Sequence, residues 1–567
     1  MLYNGVTRTS SRLSDRSRKM EKFTYFHYYS PELWDGYVKN GLIRENFGLR
    51  ILQSTSSSEK SKFNSIAAIG GELYNFVKEH KCPMYVDRLQ GGDYIDEYDY
   101  DHDLIDEYKR LLGDKFLGFQ MHEWMTNYHY DTMIKLAELS SDEWDEENIS
   151  RVIKRQYPFS TLFLEAMTLK NLVGYGKPMG YRQLVDNMKH YYNKRAAEFD
   201  LIPCDSHHMM YVHEAESGAK MIMPECGSLT PGMRVQMSFA RGVCKAYDLM
   251  LGAYYECWGG DPFSCCTYSN DGKNEWFGDT GNDEFPYQPA GPNGGSSRSL
   301  QWRIHIYAYM SGAKMICEEW GAYNTFTDWR NGVLSEYGEV KKRFLDFVDK
   351  YPNVGEKLTP VAAVVSNDLP CLVIENDRSV QPKTYFSFEL EGDELDRYNE
   401  FQDKLQSIFV NPVPMMGSEQ KTLINSTVPD GVDIVNERDG SHLASYKYLV
   451  DLTGERGLGE RYDNCISPDE VTEVLHRELP CIVEGGLHYL VNRRDDDGYY
   501  LTVFNHSGVQ RSVKGGEAIA DGSEMTAIIT LKDGRTLEAL EGSRDVEYKD
   551  GKYYVRIGGG DWFFAAF

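Results

Sequence analysis

The sequence lacks any apolar run of about 18 residues, the length a membrane-spanning helix needs, so no membrane span is expected. It also lacks an excess of positive charge. Lys and Arg number 61 against 87 Asp and Glu, a formal charge of -26. Nucleic acid and anionic membranes are bound by basic surface, so neither is an expected partner, and a neutral substrate fits better. Met1 to Lys22 is polar and basic without an apolar segment, unlike a secretory leader. No CxxC pair, HExxH run or properly spaced Gly-rich phosphate loop occurs. Metal and cofactor sites usually announce themselves by such spacings, so neither a metal nor a cofactor is expected. The 11 cysteines are an odd number, and Cys82, Cys204, Cys226, Cys244 and Cys317 lie in or beside apolar runs. That usage reads as reduced thiols and a cytoplasmic location. No internal repeat and no low-complexity linker interrupts the 567 residues.

What is present is an alternation of short β-branched or aromatic runs with amphipathic stretches, from about residue 20 to 355. Alternation of this kind predicts βα units around a parallel sheet. Eight strands are expected: Phe23–Tyr28, Leu49–Ser54, Met84–Arg88, Phe116–His122, Leu201–Asp205, Lys220–Glu225, Leu251–Glu256 and Lys314–Glu319. The clearest helical patterns are Phe63–His80, His102–Leu112, Tyr181–Phe199, Met233–Tyr247 and Leu300–Tyr309. Eight strands over this length predict a (β/α)8 barrel of 1–355. Two connections, Trp124 to Asp200 and Trp258 to Arg298, are too long for simple turns. Both follow strands directly, where a barrel builds its substrate cleft. A small α/β domain is expected over 356–485, opening with Pro360-Val-Ala-Ala-Val-Val-Ser. Residues 486–567 read as an antiparallel β-sandwich, with Asp533-Gly534 and Asp550-Gly551 as hairpin turns.

Four of the strands end in glutamate: Glu123 after strand 4, Glu225 at strand 6, Glu256 at strand 7 and Glu319 at strand 8. Carboxyl ends of barrel strands are where such folds place their chemistry. Two carboxylates converging on one bond are the usual means of breaking a glycosidic linkage, one donating a proton and the other attacking or activating water. Glu123, Glu256 and Glu225 are therefore the catalytic candidates. Only one of Glu318 and Glu319 can face inward, because side chains alternate along a strand. Glu319, beside Trp320 and Asn324, is expected to bind hydroxyls. His122, Trp124, Trp258, Asp87 and Asp205 complete the expected substrate-binding set, the tryptophans as platforms for sugar rings.

This layout resembles the clan of (β/α)8 retaining glycoside hydrolases with catalytic glutamates after strands 4 and 7. The order of barrel, small α/β domain and β-sandwich is similar to that of family 42 β-galactosidases. The resemblance implies that Glu123 is the acid/base and Glu256 the nucleophile. It also implies that the middle domain serves oligomerisation, hence a homo-oligomer. The clan usually carries Asn before the strand-4 glutamate, where this chain has His122. Barrel enzymes of another type pair carboxylates on strands 4 and 6, which keeps Glu225 as an alternative to Glu256. The expected function is hydrolysis of a glycosidic bond in an oligosaccharide or glycoside. An inverting reaction with another carboxylate pair, or a catalytically inactive carbohydrate-binding protein, stays open.

Overall fold

The computed structural model describes residues 20, 22–52, 63–89, 100–124, 136–156, 169–206, 208–226, 230–256, 296–319, 321–367, 369, 372, 384–385, 388–414, 421–453, 457–512 and 516–567. Its first part is a parallel barrel. The strands are β1 (Thr24–Tyr28), β2 (Phe47–Leu52), β3 (Met84–Asp87), β4 (Phe116–His122), β5 (Leu201–Cys204), β6 (Met221–Ile222 and Glu225–Cys226), β7 (Met250–Tyr255) and β8 (Met315–Glu318). The hydrogen-bonded order runs β5-β4-β3-β2-β1-β8-β7-β6. Closure between β5 and β6 comes from Met223 N donating to Pro203 O and Glu225 N donating to Asp205 O, each at 3.2 Å. The expected eight strands are thus all present, with ends shifted by one or two residues. The sixth is the exception: it is interrupted at Met223-Pro224, where proline supplies no N–H to the ladder.

The helices lie where the pattern placed them, with one break. The stretch from Phe63 to His80 forms two helices, Phe63–Ile66 and Glu72–His80, because Gly70 turns the chain at φ 80°. His102–Leu112 is capped by Asp101, whose side chain accepts from Leu104 N. The barrel interior is filled by a small apolar cluster that includes Phe26, Tyr85, Ile202, Met223, Tyr254 and Met315. Full burial of side chains of this size stabilises by roughly 1.5–3 kcal/mol each. Gly118 in β4 has φ 112°, and a Cβ there would lie 2.1 Å from Asp200 O, so only glycine permits β4 and β5 to pair this closely.

Beyond the barrel, four parallel strands form a second sheet in the order Val432–Asn436, Val361–Val365, Tyr448–Asp451, Cys465–Ile466. It packs on the barrel helix Thr230–Tyr247, where a Cβ on Gly242 would sit 2.0 Å from Ile434 O. Two antiparallel sheets follow. One joins Glu356–Lys357, His488–Arg493, Tyr499–Phe504, Trp562–Ala566 and Glu538–Gly542. The other joins Cys481–Glu484, Met525–Leu531, Lys552–Ile557 and Val546–Lys549. Their inward residues, among them Val503, Phe563, Ile529 and Val555, share one apolar cluster with the outer face of the barrel. Asn492 Nδ2 donates to Met310 O at 2.8 Å and ties the C-terminal sheets to a barrel helix. Among the described residues no helix is long and apolar enough to cross a membrane.

Candidate active site

The ends of β4, β6, β7 and β8 bring Glu123, Glu225, Glu256 and Glu319 to one place, as parallel register requires. His122 lies opposite Cys204 across β4 and β5. Backbone bonds from Glu225 N to Asp205 O, Glu256 N to Cys226 O (3.0 Å) and Glu319 N to Tyr255 O (2.9 Å) stack the remaining ends at one level. His122 Nε2 stands at the centre. It is 3.8 Å from Glu123 Oε2, 3.8 Å from Glu225 Oε1 and 3.7 Å from Glu319 Oε1.

Two guanidiniums answer this concentration of carboxylates. Arg88 donates to Glu319 Oε1 at 2.8 Å and lies 3.3 Å from His122 Nε2. Arg50, buried in the middle of β2, bonds Asp87 Oδ2 at 2.5 Å, the Tyr254 hydroxyl at 2.8 Å and Glu319 O at 2.6 Å. Glu123 and Arg88 both have left-handed backbones, φ 43° and 60°. Such conformations cost non-glycine residues on the order of 1–3 kcal/mol and cluster at functional sites. Ser206 Oγ donates to Glu123 Oε1 at 2.5 Å.

Burial sets the proton affinities, and like charge adds to it. Glu225 is held well above the usual carboxylate range, first by burial and then by Glu123, Glu256 and Glu319. Glu256 is pushed up in the same way, by burial and then by Glu319 and Glu123. Burial raises Glu319 to about 7 against the opposing charge of Arg88. The His122 ring is kept neutral by burial and by the nearby Arg88 and Arg50. A cluster of glutamates with raised proton affinity beside ionised partners is what proton transfer at neutral pH needs.

The other expected residues divide. Strand alternation turns Glu318 away from the cluster, to Lys341 Nζ at 2.6 Å, while Glu319 faces inward. Asp87 is wholly buried and serves Arg50. Asp205 Oδ1 accepts from His208 N at 3.1 Å and shapes the turn after β5. Trp124 does not join the carboxylates. It is fully buried against Tyr192, with Nε1 on Glu214 Oε1 at 3.3 Å, in the apolar layer between sheet and helices. Asn324 is buried beside the turn to Ser335, whose hydroxyl donates to its carbonyl. Trp258 and Trp320 lie outside the described residues. Arg50 and Tyr254 were not anticipated. A lone arginine inside the apolar run Gly48-Leu-Arg-Ile-Leu52 was the available signal, since a buried charge demands a partner.

No protein-family model matches the sequence, and no curated protein is significantly similar to it. Among solved structures, the chain is similar to a polyextremophilic β-galactosidase from the Antarctic haloarchaeon Halorubrum lacusprofundi, at 9% identity and a TM-score of 0.41 over 96% of this chain and 98% of that one. It is also similar to the GH5_18 proteins of Streptomyces cattleya, solved with GlcNAc (10% identity, TM-score 0.33, 79% and 99% coverage), and of Bifidobacterium longum (11%, 0.33, 77% and 97%). All three likenesses are remote, and the fold assignment rests on the strand order and register above.

Proposed function

We propose that the protein is a glycoside hydrolase acting on an oligosaccharide or glycoside, most simply by a retaining mechanism. The observation that carries the proposal is the convergence of the β4, β6 and β8 glutamates around one histidine nitrogen at the carboxyl end of a closed barrel, with the β7 glutamate close enough to raise the proton affinity of Glu225. Glu123 is the acid/base: its carboxyl, oriented by Ser206, protonates the leaving oxygen and later takes a proton from water. Glu256, at the end of β7, is the nucleophile, and it must first give up the proton that burial favours. Glu319 and Arg88 bind substrate hydroxyls, and Trp258 and Trp320 supply ring platforms. Our reading of the domains is a catalytic barrel over 1–355, an oligomerising α/β domain over 356–485 and a β-sandwich over 486–567.

The test is a screen of purified protein on nitrophenyl glycosides and oligosaccharides, with Glu123→Gln and Glu256→Gln alongside. Wild type is expected to release sugar, and Glu256→Gln to lose release on every substrate. Glu123→Gln should lose roughly 10²–10⁴-fold on poor leaving groups, the scale of general acid catalysis, while sparing activated ones. The first-formed anomer, read by proton NMR, distinguishes retention from inversion. Release that survives Glu256→Gln would move the second carboxylate to Glu225 or Glu319. No release from any substrate would favour a carbohydrate-binding protein.

A further inference from the structure

Three side chains on adjacent strands offer donors of three different kinds to one point inside the barrel. His122 ends β4, Cys204 ends β5 and Glu225 opens the second half of β6. A ring nitrogen of His122, the Cys204 sulfur and a Glu225 carboxylate oxygen all lie within 4.8 Å of one another. The backbone enforces this. His122 and Cys204 are register partners, and Glu225 N bonds Asp205 O next to Cys204.

These groups are poorly accounted for without a ligand. Glu225 is 2% exposed, and its Oε2 has no hydrogen-bond partner. His122 is 8% exposed, and its Nδ1 has none. Unsatisfied buried polar atoms are rare in native proteins and call for an explanation. Beside them Arg50 is bonded to Asp87 and Arg88 to Glu319.

We infer that His122, Cys204 and Glu225 form a binding site for a divalent metal ion of borderline softness, zinc by its donor set. Nitrogen, sulfur and carboxylate oxygen are the three ligand types zinc accepts, whereas magnesium and calcium take oxygen. Three protein ligands leave a coordination position open, the pattern of metal sites that hold water or substrate rather than purely structural ones. Glu225 then acts as a ligand and leaves the proton-carrying roles to its neighbours. The inference does not depend on the reaction proposed above, because binding can be read without any substrate.

The experiment is titration of metal-stripped full-length protein with Co²⁺, followed by optical absorption, and with Zn²⁺ in competition with a chelating dye. One equivalent of Co²⁺ should produce a sulfur-to-cobalt charge-transfer band in the near ultraviolet. Cys204→Ser should abolish that band. Glu225→Gln should keep it and weaken Zn²⁺ binding by at least the roughly 10–100-fold that changes around a metal site cost. The sequence also holds a vicinal thiol pair, Cys265-Cys266, as a competing metal-binding candidate; Cys265→Ser/Cys266→Ser should bind as wild type does. Circular dichroism checks that each variant is folded. The absence of the band in the wild type, which needs no variant, would overturn the inference. So would a band that persists in Cys204→Ser, or one that disappears in Cys265→Ser/Cys266→Ser.

Discussion

The Ser206–Glu123 bond and the Lys341–Glu318 pair are two polar contacts with opposite uses. Ser206 orients the carboxylate proposed as the acid/base. A hydrogen bond to a charged group contributes about 1.5–3 kcal/mol, so Ser206→Ala should lower kcat/KM by roughly 10- to 100-fold at about 1.4 kcal/mol per decade, with thermal stability little changed. Lys341 and Glu318 are both nearly unexposed, at 3% and 4%. Lys341, with help from His305, keeps the Glu318 carboxyl far below its usual range in spite of burial. Removing one partner of such a pair strands a buried charge, at a cost of about 3–5 kcal/mol. Lys341→Met should therefore lower the stability measured by chemical denaturation by that amount. Lys341→Met combined with Glu318→Gln should recover much of it.

At the scale of elements, Gly118 joins β4 to β5. Ala at this position would meet both an unfavourable φ and the Asp200 carbonyl. Gly118→Ala is expected to lower Tm and, by displacing His122 and Glu123 at the far end of the same strand, to impair sugar release more than stability alone predicts. Comparing relative activity with the folded fraction, at a temperature where the variant is folded, checks this. The same strands show what could be read in the sequence. Runs such as Phe116-Leu-Gly-Phe-Gln-Met-His declare themselves by composition, and their glutamate ends follow. The break at Pro224 was visible as a residue but not as two half-strands, because register with β5 and β7 is a tertiary property. The direction of Trp124 escaped for the same reason: a residue just past a strand end is turned by the loop, and period 2 no longer governs it. Spacing rules likewise could not reveal His122 with Cys204 and Glu225, whose nearness is made by three strands and not by one local motif.

The whole molecule carries several histidines buried in neutral form. Burial pushes His27 down to about 3 and His488 to about 4, the latter in spite of its bond to Asp430 Oδ2 at 3.0 Å. Their affinity for protons is lower folded than unfolded, so the unfolded chain binds more protons below pH ~6.5. The stability they contribute is complete above that pH and is lost as pH falls toward 4 and 3. Each steepens the decline by up to about 1.4 kcal/mol per pH unit. Asp430 and Asp433, held below the normal carboxylate range against the resistance of burial by Lys357 and by Arg241 respectively, add to the loss only below pH ~4. Glu225, Glu256 and Glu319, whose proton affinity rises on folding, oppose this between pH ~7 and 4.5, so the His27 contribution is read as a difference: Tm of the wild type minus Tm of His27→Phe should fall as pH drops below ~6.5. A difference that stays constant from pH 7 to 4.5 would contradict this assignment.

Glu356–Lys357 follows the barrel directly, yet it pairs with His488–Arg493, and Gly355 lies so close to Arg493 that a Cβ would sit 2.0 Å from its carbonyl. During synthesis this edge therefore emerges long before its neighbour exists. The barrel and the parallel sheet can take shape while this edge of the C-terminal antiparallel sheet stays open, and it is sealed only when the later strand leaves the ribosome. Stalling translation between Lys357 and His488 should leave a nascent chain that chaperones hold at that edge.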